Sequence, residues 1–214
     1  MIQLFLIRHG HTDWADKKLA GWLPGVSLND LGRQQAAALV ERLAPVKLDA
    51  IYSSPLQRTL ETAAPLARAR DLRVIRLPDL GEVKYGDWQG QPLSRLVKKK
   101  EWAVVQHAPS LARFPNGESL REMQSRAVAG IERIAAEHAR GAVAVFSHGD
   151  VIKAIVAHFI GMPLDAFQRL SIAPASLTVL GLGRFGARLL RLNDTGPLAP
   201  ASLDGRRRGS PHGL

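Results

Sequence analysis

Six short runs rich in Val, Ile, Leu and Ala, at residues 2–7, 49–52, 73–77, 142–146, 176–181 and 187–192, alternate with stretches of helical period. Runs this short and this apolar suit strands buried on both faces. Strands that alternate with helices imply an α/β fold. The expectation is a three-layer α/β/α sandwich around a mostly parallel six-stranded sheet. Gly181 to Gly186 separates the last two strands, which then form a hairpin and leave one strand antiparallel. Residues 28–44 follow Ser27-Leu-Asn-Asp30, a helix-capping sequence, and Pro45 stops that helix. A second helix opens near Ser54-Pro55, where proline suits the first turn, and runs to about Arg70. A third, roughly 119–139, carries Leu120, Met123, Ala127, Ile131 and Ile134 on one stripe. A fourth runs from Asp150 to about Phe159, before Gly161-Met-Pro163, and a helical turn follows at 164–169. Residues 83–118 read as an irregular, lid-like insertion over the carboxyl edge of the sheet.

The 214 residues fit one large domain, placed at 1–195. After Asp194 the composition turns to Gly, Pro, Ser and Arg, so 196–214 read as a disordered tail. No apolar stretch approaches the roughly 18 residues that span a bilayer. The N-terminus lacks the basic region and cleavage site of a secretory signal. A cytoplasmic protein is expected, with no membrane partner. Cysteine is absent, which excludes a disulfide framework, a thiolate nucleophile and a Cys-based zinc site. The net charge of +10 includes Lys98-Lys99-Lys100 and Arg206-Arg207-Arg208. No aromatic-interleaved basic stripe accompanies it, so solvated patches are expected and nucleic acid is not.

The chemistry-bearing residues collect where strands end. Met1 to Ile7 runs into Arg8-His9-Gly10-His11-Thr12. In open α/β sheets, ligands bind outside the carboxyl ends of the strands. An arginine beside a histidine there suggests an anion, phosphate being the common case. Ala142 to Phe146 repeats the pattern, leading into Ser147-His148-Gly149-Asp150 and a helix whose first N–H groups, including Gly149, face an anion. Ile51-Tyr52-Ser53-Ser54-Pro55-Leu56-Gln57-Arg58-Thr59 places Arg58 in a first helical turn. A cation there opposes the helix dipole unless it has an anion to hold. Glu82 precedes Gly86-Asp87-Trp88-Gln89-Gly90, a glycine- and aromatic-rich loop.

These motifs, with Gly117-Glu118-Ser119, occur in an order that resembles the histidine phosphatase superfamily, the phosphoglycerate-mutase-like fold. The likeness covers residues 1 to about 195, and alpha-ribazole phosphatases and sugar-phosphate phosphatases look like near relatives. It implies that neutral His9 attacks phosphorus and becomes a phosphohistidine. It implies that Arg8, Arg58 and an imidazolium at His148 surround the phosphoryl oxygens. Glu82 protonates the leaving oxygen and then activates water, with Asp87 as its rival. Thr12, Gly149, His11 and Trp22 are further substrate contacts, and Trp14 and Trp88 are pocket-wall candidates. Trp102 is expected to pack beneath the insertion. Two positions depart from the family pattern: His11 stands where Glu, Gln or Arg is frequent, and Ala15 where Asn is common. With no side-chain donor at Ala15, Thr12, Ser27 or a water takes over its contact.

The expected function is therefore a metal-independent phosphatase acting on a small phosphorylated metabolite, without a cofactor. The alternative is a phosphomutase of the phosphoglycerate-mutase type, using the same site. A metallohydrolase built on His9-Gly10-His11 lacks a further ligand cluster, and Arg8 would repel the ion. A silent anion-binding scaffold has no need of the full set of Arg8, His9, Arg58, Glu82 and His148. Oligomeric state is left open, a homodimer being one form.

Overall fold

A computed structural model describes residues 1–196. Of the tail expected at 196–214, residues 197–214 lie outside the described residues. The strands are β1 (Ile2–Arg8), β2 (Ala50–Ser53), β3 (Val74–Arg76), β4 (Gly141–Ser147), β5 (Leu177–Gly183) and β6 (Gly186–Asp194). The α-helices are α1 (Asp30–Arg42), α2 (Gln57–Arg70), α3 (Leu93–Leu96), α4 (Lys100–His107), α5 (Leu120–Glu137) and α6 (Gly149–Phe159). The six strands form one sheet in the order β3-β2-β4-β1-β5-β6. Pairing is parallel from β3 through β1, and β5 runs antiparallel to both β1 and β6. The architecture is the α/β/α sandwich with one reversed strand.

Alternation along the central strands splits the core into two layers. On one face Phe5 and Ile7 of β1 and Phe146 of β4 pack with Leu39 of α1, Leu43 just after it, and Ala63 and Leu66 of α2. On the other, Leu4, Leu6, Val143 and Val145 pack with Met123, Ala127, Ile131 and Ile134 of α5 and Ile152, Ile155 and Val156 of α6. The α5 stripe read from the sequence is thus the buried face. Ser119 and Glu122 close a reciprocal capping box at its start, a device worth about 1 kcal/mol. At α1 the cap is Asn29, whose side chain accepts from Gly32 N–H.

The insertion departs from its expected irregularity. Residues 83–118 contain α3, α4 and short 3₁₀ turns at Gly86–Trp88 and Pro109–Leu111. Pro92 and the three lysines obscure these helices in the sequence, because each is too short to show a full apolar period. Trp88 is buried, stacks on Trp102 at 6.1 Å and meets Phe114 edge-on at 5.3 Å. These rings anchor the insertion to the α5–α6 layer. Among the described residues, no helix is long and apolar enough to cross a membrane.

The topology selects one crevice. From β1 the chain leaves through α1 toward β2, on one face. From β4 it leaves through α6 toward β5, on the other face. The carboxyl ends of β1 and β4 therefore flank a topological switch point, where open α/β sheets bind ligands.

Candidate active site

Strand register brings the two histidines together. Arg8 of β1 pairs with Ser147 of β4, so His9 and His148 follow side by side, ring centroids 5.3 Å apart. His9 is 7 % exposed. Its Nδ1 lies 2.8 Å from the Gly10 carbonyl. A carbonyl can only accept, so Nδ1 carries the proton and Nε2 keeps its lone pair. Burial, Arg58 and Arg8 hold the His9 pKa well below that of a free histidine, against the raising effect of the Gly10 bond. His9 is therefore a neutral imidazole with one defined nucleophilic nitrogen.

Two guanidinium groups flank it. Arg58, 1 % exposed, donates from Nη2 to the Gly21 carbonyl at 2.9 Å and to His148 Nδ1 at 3.2 Å. Arg8 donates from Nη1 to the Ile172 carbonyl at 2.6 Å. The Nε–H of each arginine is buried and, among the described residues, has no hydrogen-bond partner. A buried donor left unsatisfied costs roughly 1–3 kcal/mol, more for a charged group. Two of them at one crevice mark a place for an oxyanion. Gly149 helps to make the space: a Cβ there would sit 3.4 Å from Arg8 Nε.

His148 differs from the imidazolium expected of it. Its Nδ1 accepts from Arg58 and its Nε2 bonds Ser54 Oγ at 2.8 Å, so the proton lies on Nε2. Burial, followed by Arg58, His9 and Arg8, depresses its pKa well below the usual value. In this arrangement His148 is neutral.

Glu82 is the buried carboxyl of the crevice. One carboxyl oxygen, Oε1, accepts from Val83 N–H at 3.0 Å, and Oε2 stands 3.7 Å from His148 Nδ1. Burial, then the neighbouring Asp150 carboxylate, pushes the Glu82 pKa up to about 7, although Arg58, Val83 N–H and Arg8 oppose the shift. The same surroundings raise the Tyr85 phenol well above its usual range, through burial, Glu82 and Asp150. A carboxyl that titrates near neutrality can give a proton in one step and accept one in the next.

The loop bearing Glu82 is clamped from behind. Arg126 on α5 donates to the carbonyls of Asp79 at 2.7 Å, Gly81 at 2.8 Å and Glu82 at 2.9 Å. Its remaining donors meet both oxygens of Glu118, which also accepts from Lys84 N–H. Both partners are largely buried. Arg126→Met should therefore cost about 3–5 kcal/mol of folding stability, because it leaves the Glu118 carboxylate uncompensated. A urea titration measures this; a loss under 1 kcal/mol would mean that the pair is not what holds the loop.

Around these groups lies a cleft of about 500 Å³, lined by Arg8, His9, Thr12, Arg58, Glu82 and Gly149. Of the remaining sequence candidates, His148 touches Arg58 and Glu82 just behind this surface. Trp14 lines the cleft and Trp22 does not. Trp22 Nε1 instead donates to the Glu82 carbonyl at 2.5 Å, so it supports the Glu82 loop. His11 also falls outside the lining; its ring meets the Asn29 amide at 2.9 Å and its N–H bonds Gln35. Ala15 is on the wall, as is Thr12. Asp87, the rival acid, is exposed and accepts from Asn116 at 3.0 Å. Sequence reasoning missed Tyr85, Asp150, Lys153, Gln168 and Asn193 on the wall. Asp150 stands in the Ser147-His148-Gly149-Asp150 motif, where a carboxylate in the first turn of α6 is the available signal, and Tyr85 falls between Glu82 and Gly86.

A neutral buried histidine, two guanidinium groups with free donors and a carboxyl poised near neutrality define a phosphoryl-handling α/β enzyme site. Known proteins agree with that class. The histidine phosphatase superfamily (branch 1) matches residues 4–195, and the chain belongs to that family. Phosphoserine phosphatase 1 of Hydrogenobacter thermophilus is 30 % identical over 200 residues, spanning 91 % of this chain and 93 % of that one. Phosphoglycerate mutase-like protein 4 of Arabidopsis thaliana is 35 % identical over 159 residues, 72 % of this chain and 69 % of that one. Among solved structures, Bacillus stearothermophilus YhfR superposes with a TM-score of 0.85 at 29 % identity, covering 91 % of this chain and 98 % of that one.

Proposed function

We propose that the protein is a phosphatase that hydrolyses a small phosphomonoester through a phosphohistidine on His9, with no metal ion in the reaction. The observation that carries this reading is the pair of partnerless buried Nε–H groups on Arg8 and Arg58 beside a neutral His9. Guanidinium charge does here what a metal ion does elsewhere: it neutralises the equatorial phosphoryl oxygens.

The reaction runs in two displacements. The Nε2 lone pair of His9 attacks phosphorus while the ester oxygen departs, taking the proton from Glu82. The phosphoryl group is then on His9. Glu82, now a carboxylate, takes a proton from water as that water attacks phosphorus, and the His9 Nε2–P bond breaks to release inorganic phosphate. Glu82 ends protonated and His9 neutral. A phosphoryl dianion beside His148 would favour its protonated form, at the expense of the bond that Nδ1 accepts from Arg58. The cleft volume suits a metabolite-sized substrate.

Rapid acid-free quenching of the enzyme with a ³²P-labelled phosphomonoester should leave label on His9 that is stable to base and lost in acid. Phosphate release should match substrate loss. Absence of a labelled histidine under single-turnover conditions would overturn the covalent mechanism. Isomer formation without phosphate release would assign the mutase reaction instead.

A further inference from the structure

Two irregularities of the β5–β6 hairpin meet at Asn193. Leu177 pairs with Asp194 and Val179 with Arg191, so Thr178 alone stands opposite both Leu192 and Asn193. The extra residue is a bulge, a feature that bends a strand and re-aims a side chain. Asn193 takes a left-handed φ of 53°, which asparagine tolerates better than other non-glycine residues. Its N–H bonds Thr178 Oγ1 at 3.2 Å. Its side-chain Oδ1 accepts from Ala173 N–H at 2.6 Å. The residue reaches the cleft wall beside Ile172, Ala173 and Arg8.

Residues 172–175 form a strap across the end of β1. The Ile172 carbonyl accepts from Arg8 Nη1. Ala175 N–H approaches the carbonyls of Arg8 at 3.0 Å and His9 at 3.2 Å. The strap thus holds Arg8 at both backbone and guanidinium. A planar guanidinium fixed at Nη1 has its Nε–H direction fixed as well, and that Nε–H is one of the two partnerless donors. Asn193 in turn holds the strap at Ala173, the residue next to the carbonyl that Arg8 uses.

We infer that Asn193 is a positioning residue for oxyanion binding: through Ala173 and Ile172 it sets the plane of Arg8. The inference rests on the reading of Arg8 as an oxyanion ligand. It does not need hydrolysis to be the reaction.

Asn193→Gly removes the amide and keeps the left-handed backbone without strain. The test compares wild type, Asn193→Gly, Arg8→Lys and the double variant. Orthovanadate affinity is read by titration calorimetry, kcat/KM by 4-nitrophenyl phosphate turnover and folding by thermal unfolding. In the wild-type background Asn193→Gly should weaken vanadate binding and lower kcat/KM by about tenfold, the scale of one charge-assisted hydrogen bond. In the Arg8→Lys background the same change should cost less than about twofold, since its target is gone. Wild-type vanadate affinity in Asn193→Gly, or an equal loss in both backgrounds, would overturn the assignment. Wild type that binds vanadate without turning over phosphomonoesters would sink the phosphatase reading alone. Wild type that binds no vanadate would sink both.

Discussion

His9→Ala should abolish turnover of an aryl phosphate, with a loss on the order of 10⁴-fold or more, as expected when a nucleophile is removed from a cooperating site. The other histidine beside it, His148, cannot replace it. The second histidine has its Nε2 on Ser54 and its Nδ1 lone pair turned to Arg58. The fold should survive, because among the described residues the side chain's own hydrogen bond goes to the adjacent Gly10 carbonyl alone. Thermal unfolding of the variant should match wild type within a few degrees, and ³²P labelling should vanish. Turnover near the wild-type rate in a folded His9→Ala protein would end the phosphohistidine mechanism.

Glu82→Gln should show the second largest effect, and its size should depend on the leaving group. Alkyl phosphates need a proton on the departing oxygen, so kcat/KM for them should fall by roughly 10²–10⁴-fold. A 4-nitrophenolate departs without help, so formation of the phosphohistidine from its ester should change much less. The variant should then stall at the hydrolysis step and accumulate label on His9. The sign of the pH dependence follows from the same group. Its pKa is raised to about 7, so the active acid form is present below that pH and is lost above it. His9 is neutral throughout this range, its pKa being depressed. Wild-type kcat/KM for an alkyl phosphate should therefore decline as pH rises through about 7, and that decline should be missing in Glu82→Gln. An unchanged alkaline limb in the variant would move the acid role to another residue.

Strand order apart, much of the fold was legible because short apolar runs and an unbroken stripe on α5 leave few alternatives. The insertion was not, since α3 and α4 are held by Trp88, Trp102 and Phe114 rather than by a periodicity of their own. At the site, the basic residues that follow strand ends could be read from chemistry: Arg8, His9, Arg58 and His148 are conspicuous where they stand, whereas Glu82 sits in a loop and was reached only through the family resemblance. Their supports could not. Arg126 lies on a helix next to the apolar stripe, where a solvated arginine is the ordinary reading, and only the fold shows it grasping three carbonyls. Trp22 was read as a substrate contact because an aromatic residue in a loop carries no sign of which side of Glu82 it occupies. The charge state of His148 depends on its burial and then on Arg58, ninety positions away in the chain, and no local pattern encodes either.

The place of β1 in the sheet bears on how the molecule comes into being. This strand is made early, yet both its neighbours, β4 and β5, come from the second half of the chain. Until those segments emerge, Phe5, Leu6 and Ile7 belong to a strand with two bare edges, an invitation to pair with another chain. Contacts so distant in sequence also form slowly. Catalytic competence should then return in a refolding experiment only with the final cooperative phase, after helical circular dichroism has recovered, which makes turnover the stricter gauge of a finished native state.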